Sequence, residues 1–325
     1  MKLFIKIRNL LKYIEYILIN YFLASKENII KQNTLLILRL DAIGDYLMFR
    51  NYLNIIKSSQ KYKEFKLSLC GNIIWKSLSE ELDKDVVDEF IWIDKEKFYK
   101  NLRYKFNFLR MIREKGFDTI IDSVYSREIL YGDLIVNSSN AKEKIGSEGS
   151  EDNYIRWKRN LFTNNYYTKL INVNTKTTFE FYRNKNFFEA VLGNKINIKK
   201  PILDVSVIKG SEKINNKYIL LFPGASQQIK MWSSRNFKEI SEFILKNYSL
   251  DIVLSGSEQE SYLFDEIVSL NSKERYLNFF GNTLAELSKL ISEAELLISN
   301  DTSATHISAA VNAAFICISN GSYFG

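Results

Sequence analysis

One histidine occurs in this chain of 325 residues, and its setting is unusual. His306 lies in LLISNDTSATHISAAVNAAFICISNGS (Leu296–Ser322), six residues after Asn300 and one turn into a segment with helical spacing. An apolar run ends at Asn300 and Asp301, and Thr302 and Ser303 then begin the helix. A strand that passes into a helix in this way turns the N–H groups of Asp301, Thr302 and Ser303 outward. Such a helix start attracts anions through its free amides and its dipole. His306 is near enough to add a donor. A lone histidine on a helix also has an ordinary, partly buried structural reading, so the other motifs have to decide.

Two more loops follow apolar runs in the same half of the chain. PGASQQIKMW (Pro223–Trp232) offers Gly224 and Ala225, which allow close backbone approach, then Ser226, and Lys230 as a mobile cation. SGSEQE (Ser255–Glu260) offers Glu258 as an acceptor for ribose hydroxyls. Ligands of open α/β sheets bind outside the carboxyl ends of the strands. Three such loops in this order predict a nucleoside diphosphate site. In the other half, RLDAIGDY (Arg39–Tyr46) sets Asp41, Gly44 and Asp45 between a strand and a helix. Asp45 reads either as an acidic residue that stabilises a helix start or as a carboxylate aimed into a cleft. No G-x-G-x-x-G or G-x-x-x-x-G-K-[ST] occurs, which disfavours the usual dinucleotide and P-loop sites. Asp83–Asp85 (DKD) reads as solvated surface. Cys70 and Cys317 sit in apolar runs and read as buried thiols. A single imidazole rules out a His-rich zinc site, and no Cys/His cluster suggests another metal.

The elements that must carry these loops alternate. TLLILRL (Thr34–Leu40), FKLSLCG, EFIWID and DTIIDSV read as buried parallel strands with helical stretches between them. SEGSEDNYIRWKRNLFTNNYY reads as an irregular loop region, and TTFEFYRNKNFFEAVLG as a helix capped by Gly193. The chain turns polar around Lys195–Lys217, and the pattern then restarts with KYILLFPGAS. Thr283 and Glu286 stand at capping-box spacing. The predicted fold is α/β, with two Rossmann-like, doubly wound domains facing a cleft. The N-terminal domain is expected over residues 1–205 and the C-terminal one over 206–325.

Residues 1–30 read as a basic amphipathic stripe, with the apolar positions Leu3, Ile7, Leu10, Ile14, Ile17 and Tyr21 against Lys2, Lys6, Arg8 and Lys12. The longest uncharged run is about half of the ~20 residues a spanning helix needs. The stretch either packs on its own domain or lies on an anionic membrane surface. The net charge of +7 favours acidic partners in general. Nothing else points to nucleic acid, which is set aside.

LLILRLDAIGDYLMF, FPGASQQIKMWSSRNFKEI, IVLSGSEQE and the segment from FFGNTLAELSKL to ISNG together resemble glycosyltransferase family nine, the lipopolysaccharide heptosyltransferases and their relatives. The four blocks keep the family's order over residues 34–321. The resemblance implies a GT-B fold and inverting transfer without a metal or other cofactor. The implied donor is a nucleotide sugar, typically ADP-heptose, and the implied acceptor an acidic lipid-linked saccharide. It implies Asp45 as general base, Lys230 at the departing phosphate and Glu258 near the nucleoside. Asp301, Thr302, Ser303 and His306 would form the donor-binding turn. Gly44, Arg127, Arg156, Lys158 and Arg159 are the candidates for the acceptor side, and Asp41 and Asp122 are the alternative bases. The implied location is cytoplasmic, peripheral at the inner face of the inner membrane. Two departures stand out: Ser303 replaces a common glycine, and the chain stops at NGSYFG where relatives continue, so a shortened C-terminal domain is expected. Two rival readings remain, an epimerase or hydrolase of nucleotide sugars and a non-catalytic donor-binding protein.

Overall fold

The apolar run at the start of the first motif becomes β1 (Thr34–Arg39), in which Leu35–Leu38 are wholly buried. A strand apolar on both faces needs cover on both, which is the setting of a parallel sheet. The computed structural model describes residues 29–151, 156–173, 179–209, 214–319 and 321. The basic stripe expected over residues 1–30 lies outside them except for Ile29 and Ile30.

From β1 the chain continues through α1 (Ile43–Phe49), α2 (Asn51–Ser58), β2 (Lys66–Asn72), α3 (Lys76–Leu82), β3 (Glu89–Ile93), α4 (Lys95–Lys100) and α5 (Leu102–Lys115). Next come β4 (Thr119–Asp122), α6 (Gly132–Ser139), β5 (Glu143–Ser147), α7 (Arg156–Phe162), β6 (Lys169–Ile171) and α8 (Glu180–Leu192). The pattern then restarts with β7 (Tyr218–Phe222), α9 (Ser234–Asn247), β8 (Asp251–Gly256), α10 (Tyr262–Ile267) and β9 (Tyr276–Phe280). It ends with α11 (Leu284–Glu293), β10 (Leu296–Asn300), α12 (Ser303–Val311) and β11 (Phe315–Ile318).

All strand pairs are parallel. The first sheet has the order β3-β2-β1-β4-β5-β6 and the second β11-β10-β7-β8-β9. This is the predicted pair of doubly wound sheets. In the first, Leu36, Leu38, Ile93, Leu109 and Ile120 share one core, and in the second Leu221, Phe237, Leu254 and Ile298 share another. Local signals end the helices as their chemistry requires. Asn101 accepts from the Tyr104 N–H at 2.9 Å to begin α5, and Gly116 closes that helix at φ 69°. Thr283 and Glu286 form the expected capping box of α11.

The chain divides into two compact units. One takes in the chain up to Asp41, Tyr52–Ile74 and Val86–Asn197, and the other Ala42–Asn51, Trp75–Asp85 and the chain from Ile198 on. By packing, α1 and α3 thus belong to the second unit, although they lie among the strands of the first sheet in chain order.

Several local expectations are corrected. The region read as irregular holds α7, and its residues 152–155 lie outside the described chain. Asp83, read as solvated, is 2% exposed. It accepts from the Tyr46 hydroxyl at 2.5 Å and from Arg50 and Ser79 at 2.8 and 2.9 Å, and so joins α1 to α3. A carboxylate can be buried when a guanidinium and two hydroxyls replace its water. Cys317, read as buried, is exposed on the edge strand β11, whereas Cys70 is buried as expected.

The first unit contains a buried polar cluster at the ends of β4 and β5. Arg127 pairs with both oxygens of Asp133 at 2.9 and 3.1 Å and lies over the Tyr167 ring at 4.3 Å. The Tyr167 hydroxyl is 2.7 Å from Asp133 and 2.9 Å from Asp122. A hydroxyl has one proton, so it cannot donate to both carboxylates. Arg127 already donates to both oxygens of Asp133. Burial and the charge of Asp133 push the pKa of Asp122 up to about 6, so below that pH Asp122 carries a proton that it can donate to Tyr167 while the Tyr167 hydroxyl donates to Asp133.

Because the folded value lies above the unfolded one of about 3.9, this group favours folding below pH ~4 and loses that contribution as the pH rises through ~6. The loss at neutral pH is of order 2–3 kcal/mol. Asp122→Asn cannot titrate but can still donate to Tyr167. Urea unfolding should therefore show the variant gaining stability relative to the parent between pH 4 and 7. A parent–variant difference independent of pH would contradict this proton assignment.

Candidate active site

The second sheet places β10, β7 and β8 side by side and parallel, so their carboxyl ends emerge together. The loops that follow them are the three singled out in the sequence. Pro223–Trp232 leaves β7 and contains a short 3-10 turn, Gln228–Lys230. Ser257 and the 3-10 turn Glu258–Glu260 follow β8. Asp301 and Thr302 follow β10 and lead into α12.

Asn300, wholly buried at the end of β10, fixes the first loop at both ends. Its Nδ2 donates to the Pro223 carbonyl at 2.6 Å, and its Oδ1 accepts from the Trp232 N–H at 3.0 Å. Lys230 thus stands in a loop tied to β10, the strand that leads into α12. Ala225 is half-buried and Ser226 exposed in the same loop. Gly224 is a close approach of another kind. A Cβ there would collide with the carboxylate of Glu260, which is held by the Ser257 N–H and hydroxyl at 2.8 and 2.6 Å. Glu258 faces the other way, with its carboxylate against Gly281. Of the two acids, then, Glu260 reaches the loop after β7. Neither Asn300 nor Glu260 was singled out from the sequence. The signal for Glu260 was the Ser-x-x-Glu spacing of a capping box.

The start of α12 is capped by Thr302, whose hydroxyl accepts from the Ala304 N–H at 3.3 Å. The amides of Thr302 and Ser303 have no partner among the described residues. Asp301 differs from the expectation of an outward amide, because its N–H donates to the Ile318 carbonyl of β11 at 3.1 Å. Strand pairing takes that donor first.

His306, partly buried on α12, packs on α1. A Cβ on Gly44 would come within 2.9 Å of its Cδ2 and 3.0 Å of its Nε2. Burial lowers the imidazole pKa, and the carboxylates of Asp301 and Asp45 pull it the other way. The ring is thus held neutral near pH 7, with one N–H to donate. Asp45 sits in the first turn of α1, and its Oδ2 accepts from the Ala42 N–H at 3.2 Å. Asp45 thus supports its helix start, and it also acts electrostatically on His306. Asp41, one of the alternative bases, is engaged by Arg39 at 2.9 Å.

Arg127 and Arg159, expected on the acceptor side, are not surface cations. Arg127 is saturated by Asp133, the Ser147 carbonyl, Thr163 and Asn164, with no side-chain surface exposed. Arg159 is 1% exposed and donates to the Ser150 and Gly149 carbonyls. A guanidinium carries five donors, and a folded loop offers enough carbonyls to bury it. Lys158 is half-buried, with its Nζ 5.7 Å from the Trp157 ring, and the Arg156 side chain lies outside what is described. Among the described residues no group of three or more His, Cys, Asp and Glu gathers as a metal site, and no helix is long and apolar enough to cross a membrane.

Residues 106–319 match the description of glycosyltransferase family 9 (heptosyltransferase), a stretch that includes all three loops and leaves the Gly44–Asp45 turn outside. No curated protein matches the chain. Among solved structures, the chain is similar to the E. coli heptosyltransferase WaaC bound to ADP-2-deoxy-2-fluoro heptose, at 14% identity, 90% coverage of each chain and a TM-score of 0.72. It is similar to E. coli ADP-heptose LPS heptosyltransferase II at 16% identity, covering 88% of this chain and 84% of that one, with a TM-score of 0.66. A family 9 glycosyl transferase from Veillonella parvula gives 15% identity, 90% and 83% coverage and a TM-score of 0.68. These likenesses establish a GT-B fold of two Rossmann-like domains. The family match covers well over half of the chain, and the protein therefore belongs to glycosyltransferase family 9, the heptosyltransferases, and is a glycosyltransferase.

Proposed function

We propose that the chain moves a heptose from a nucleoside diphosphate donor, ADP-heptose by the chemistry of its relatives, onto an acidic lipid-linked saccharide of the lipopolysaccharide core type. The observation that carries this reading is the packing of His306 on Gly44. It gathers a carboxylate, a neutral imidazole and a helix start with two unused amides into one unit.

In the proposed reaction an acceptor hydroxyl attacks the anomeric carbon from the face opposite the diphosphate. Asp45 takes the hydroxyl proton as the new C–O bond forms and the bond to the phosphate oxygen breaks. One in-line displacement inverts the anomeric centre. A hydroxyl is a weak nucleophile, and a positioned base contributes about 10²–10⁴ in rate. Charge grows on the departing diphosphate, and Lys230, the Thr302 and Ser303 amides and the His306 N–H are the groups assigned to it. Gly224, Ala225 and Ser226 line the approach, and Glu260, with Glu258 beyond it, takes the nucleoside end. This route assigns no step to a metal or other cofactor. The enzyme would act from the cytoplasmic side, peripheral to the membrane that holds its acceptor.

Transfer assays with ADP-heptose should show Asp45→Asn slowed by about 10²–10⁴ at a near-parental melting temperature. Transfer at the parental rate would remove Asp45 as the base. Lys230→Ala should lower turnover by more than tenfold while leaving folding within about 0.5 kcal/mol, as expected for a half-buried loop lysine. Unchanged turnover would exclude it from the phosphate. Activity should also survive exhaustive chelation, and a loss restored by a divalent cation would contradict the proposed route.

A further inference from the structure

One extended segment fastens the helix of Asp45 to the helix of His306. Asn51, the first residue of α2, is separated from α1 by Arg50 alone and binds both polar backbone atoms of Ile202. Its Nδ2 donates to the Ile202 carbonyl at 2.8 Å, and its Oδ1 accepts from the Ile202 N–H at 2.9 Å. Arg50 donates to the same carbonyl at 2.8 Å while its other nitrogen is held by Asp83 at 2.8 Å. One residue further on, the Leu203 N–H donates to the Ala310 carbonyl of α12 at 3.0 Å. Leu203 itself is buried.

A single hydrogen bond would let the segment swing about it. A carboxamide that pairs with the N–H and the C=O of one residue acts as a strand partner does, and fixes both direction and register. The connection runs from α1 through Asn51, Ile202 and Leu203 to α12, with every member in the second unit. The far end of the same connection is the packing of His306 on Gly44.

We infer that Asn51 is a positioning residue for the transfer. Through Ile202 it sets α12 against α1, and hence the imidazole of His306 against Asp45. The inference rests on the roles proposed above for these two residues. It assigns Asn51 no contact with either substrate.

Because His306 is the sole histidine, isotope-labelled histidine gives one imidazole signal, read without ambiguity in the full chain. In Asn51→Ala that signal should move, and its pKa should fall as Asp45 draws away. The kcat should drop by roughly tenfold or more, since small misplacements of reacting groups are costly. The donor KM should change little. Asn51→Asp keeps the shape and the acceptor but loses the donor, and should shift the signal in the same direction. It carries the test if the alanine variant does not fold. Asn216→Ala removes an exposed carboxamide bond to Asp251 in the same unit and should leave the imidazole signal and kcat alone. A lower melting temperature with an unmoved imidazole and parental kcat would make Asn51 merely structural and overturn the inference. So would a loss of kcat with the imidazole unmoved. If Asp45→Asn transfers normally while Asn51→Ala still moves the imidazole, the clamp stands and the assignment of the base falls.

Discussion

The imidazole of His306 rests on a backbone position that has no side chain. Any residue larger than glycine at position 44 would place an atom within 2.9 Å of the ring. From this one steric constraint the rest of the site follows. α1 can approach the start of α12, so the Asp45 carboxylate acts electrostatically on the imidazole that burial keeps neutral. The amides of Thr302 and Ser303 open beside them. A neutral ring has one N–H to donate without first being charged.

The second sheet contributes position, and a few polar side chains turn position into geometry. Adjacency of β10, β7 and β8 brings three loops to one edge, as a parallel α/β sheet requires. Asn300 then ties the loop of Lys230 to the strand before α12, and Glu260 closes on Gly224. In the first unit the polar side chains serve a different purpose. Arg39 is wholly buried among Asp41, Glu180 and Asn184, and Arg127 among Asp133, Thr163 and Asn164. Part of the positive charge that composition assigns to acidic partners is thus internal and already neutralised.

The fold was legible because continuous apolar runs such as Leu35–Leu38 and the capping box at Thr283 each have one good structural solution. β5 (EKIGS) and β6 (KLI) were not legible, being too short and too polar to show a period. The three loops were legible from their place after strands, and the direction of each side chain within them was not. Glu258 and Glu260 differ by two positions, and only the 3-10 turn decides which carboxylate reaches Gly224. Arg127 and Arg159 carry the same letters as surface cations, but their partners lie up to 37 residues away and cannot be read from neighbours in sequence. The same holds for Asn51, whose partner Ile202 is 151 residues distant.

The proposed seat of the donor diphosphate is the start of α12, beside His306. The most direct measurement is titration of histidine-labelled protein with ADP-heptose, ADP and adenosine, followed by the one imidazole signal. If the diphosphate meets the imidazole as proposed, ADP-heptose and ADP give a saturable shift and adenosine a far smaller one. An imidazole signal unmoved by a donor that the enzyme turns over would contradict this proposal.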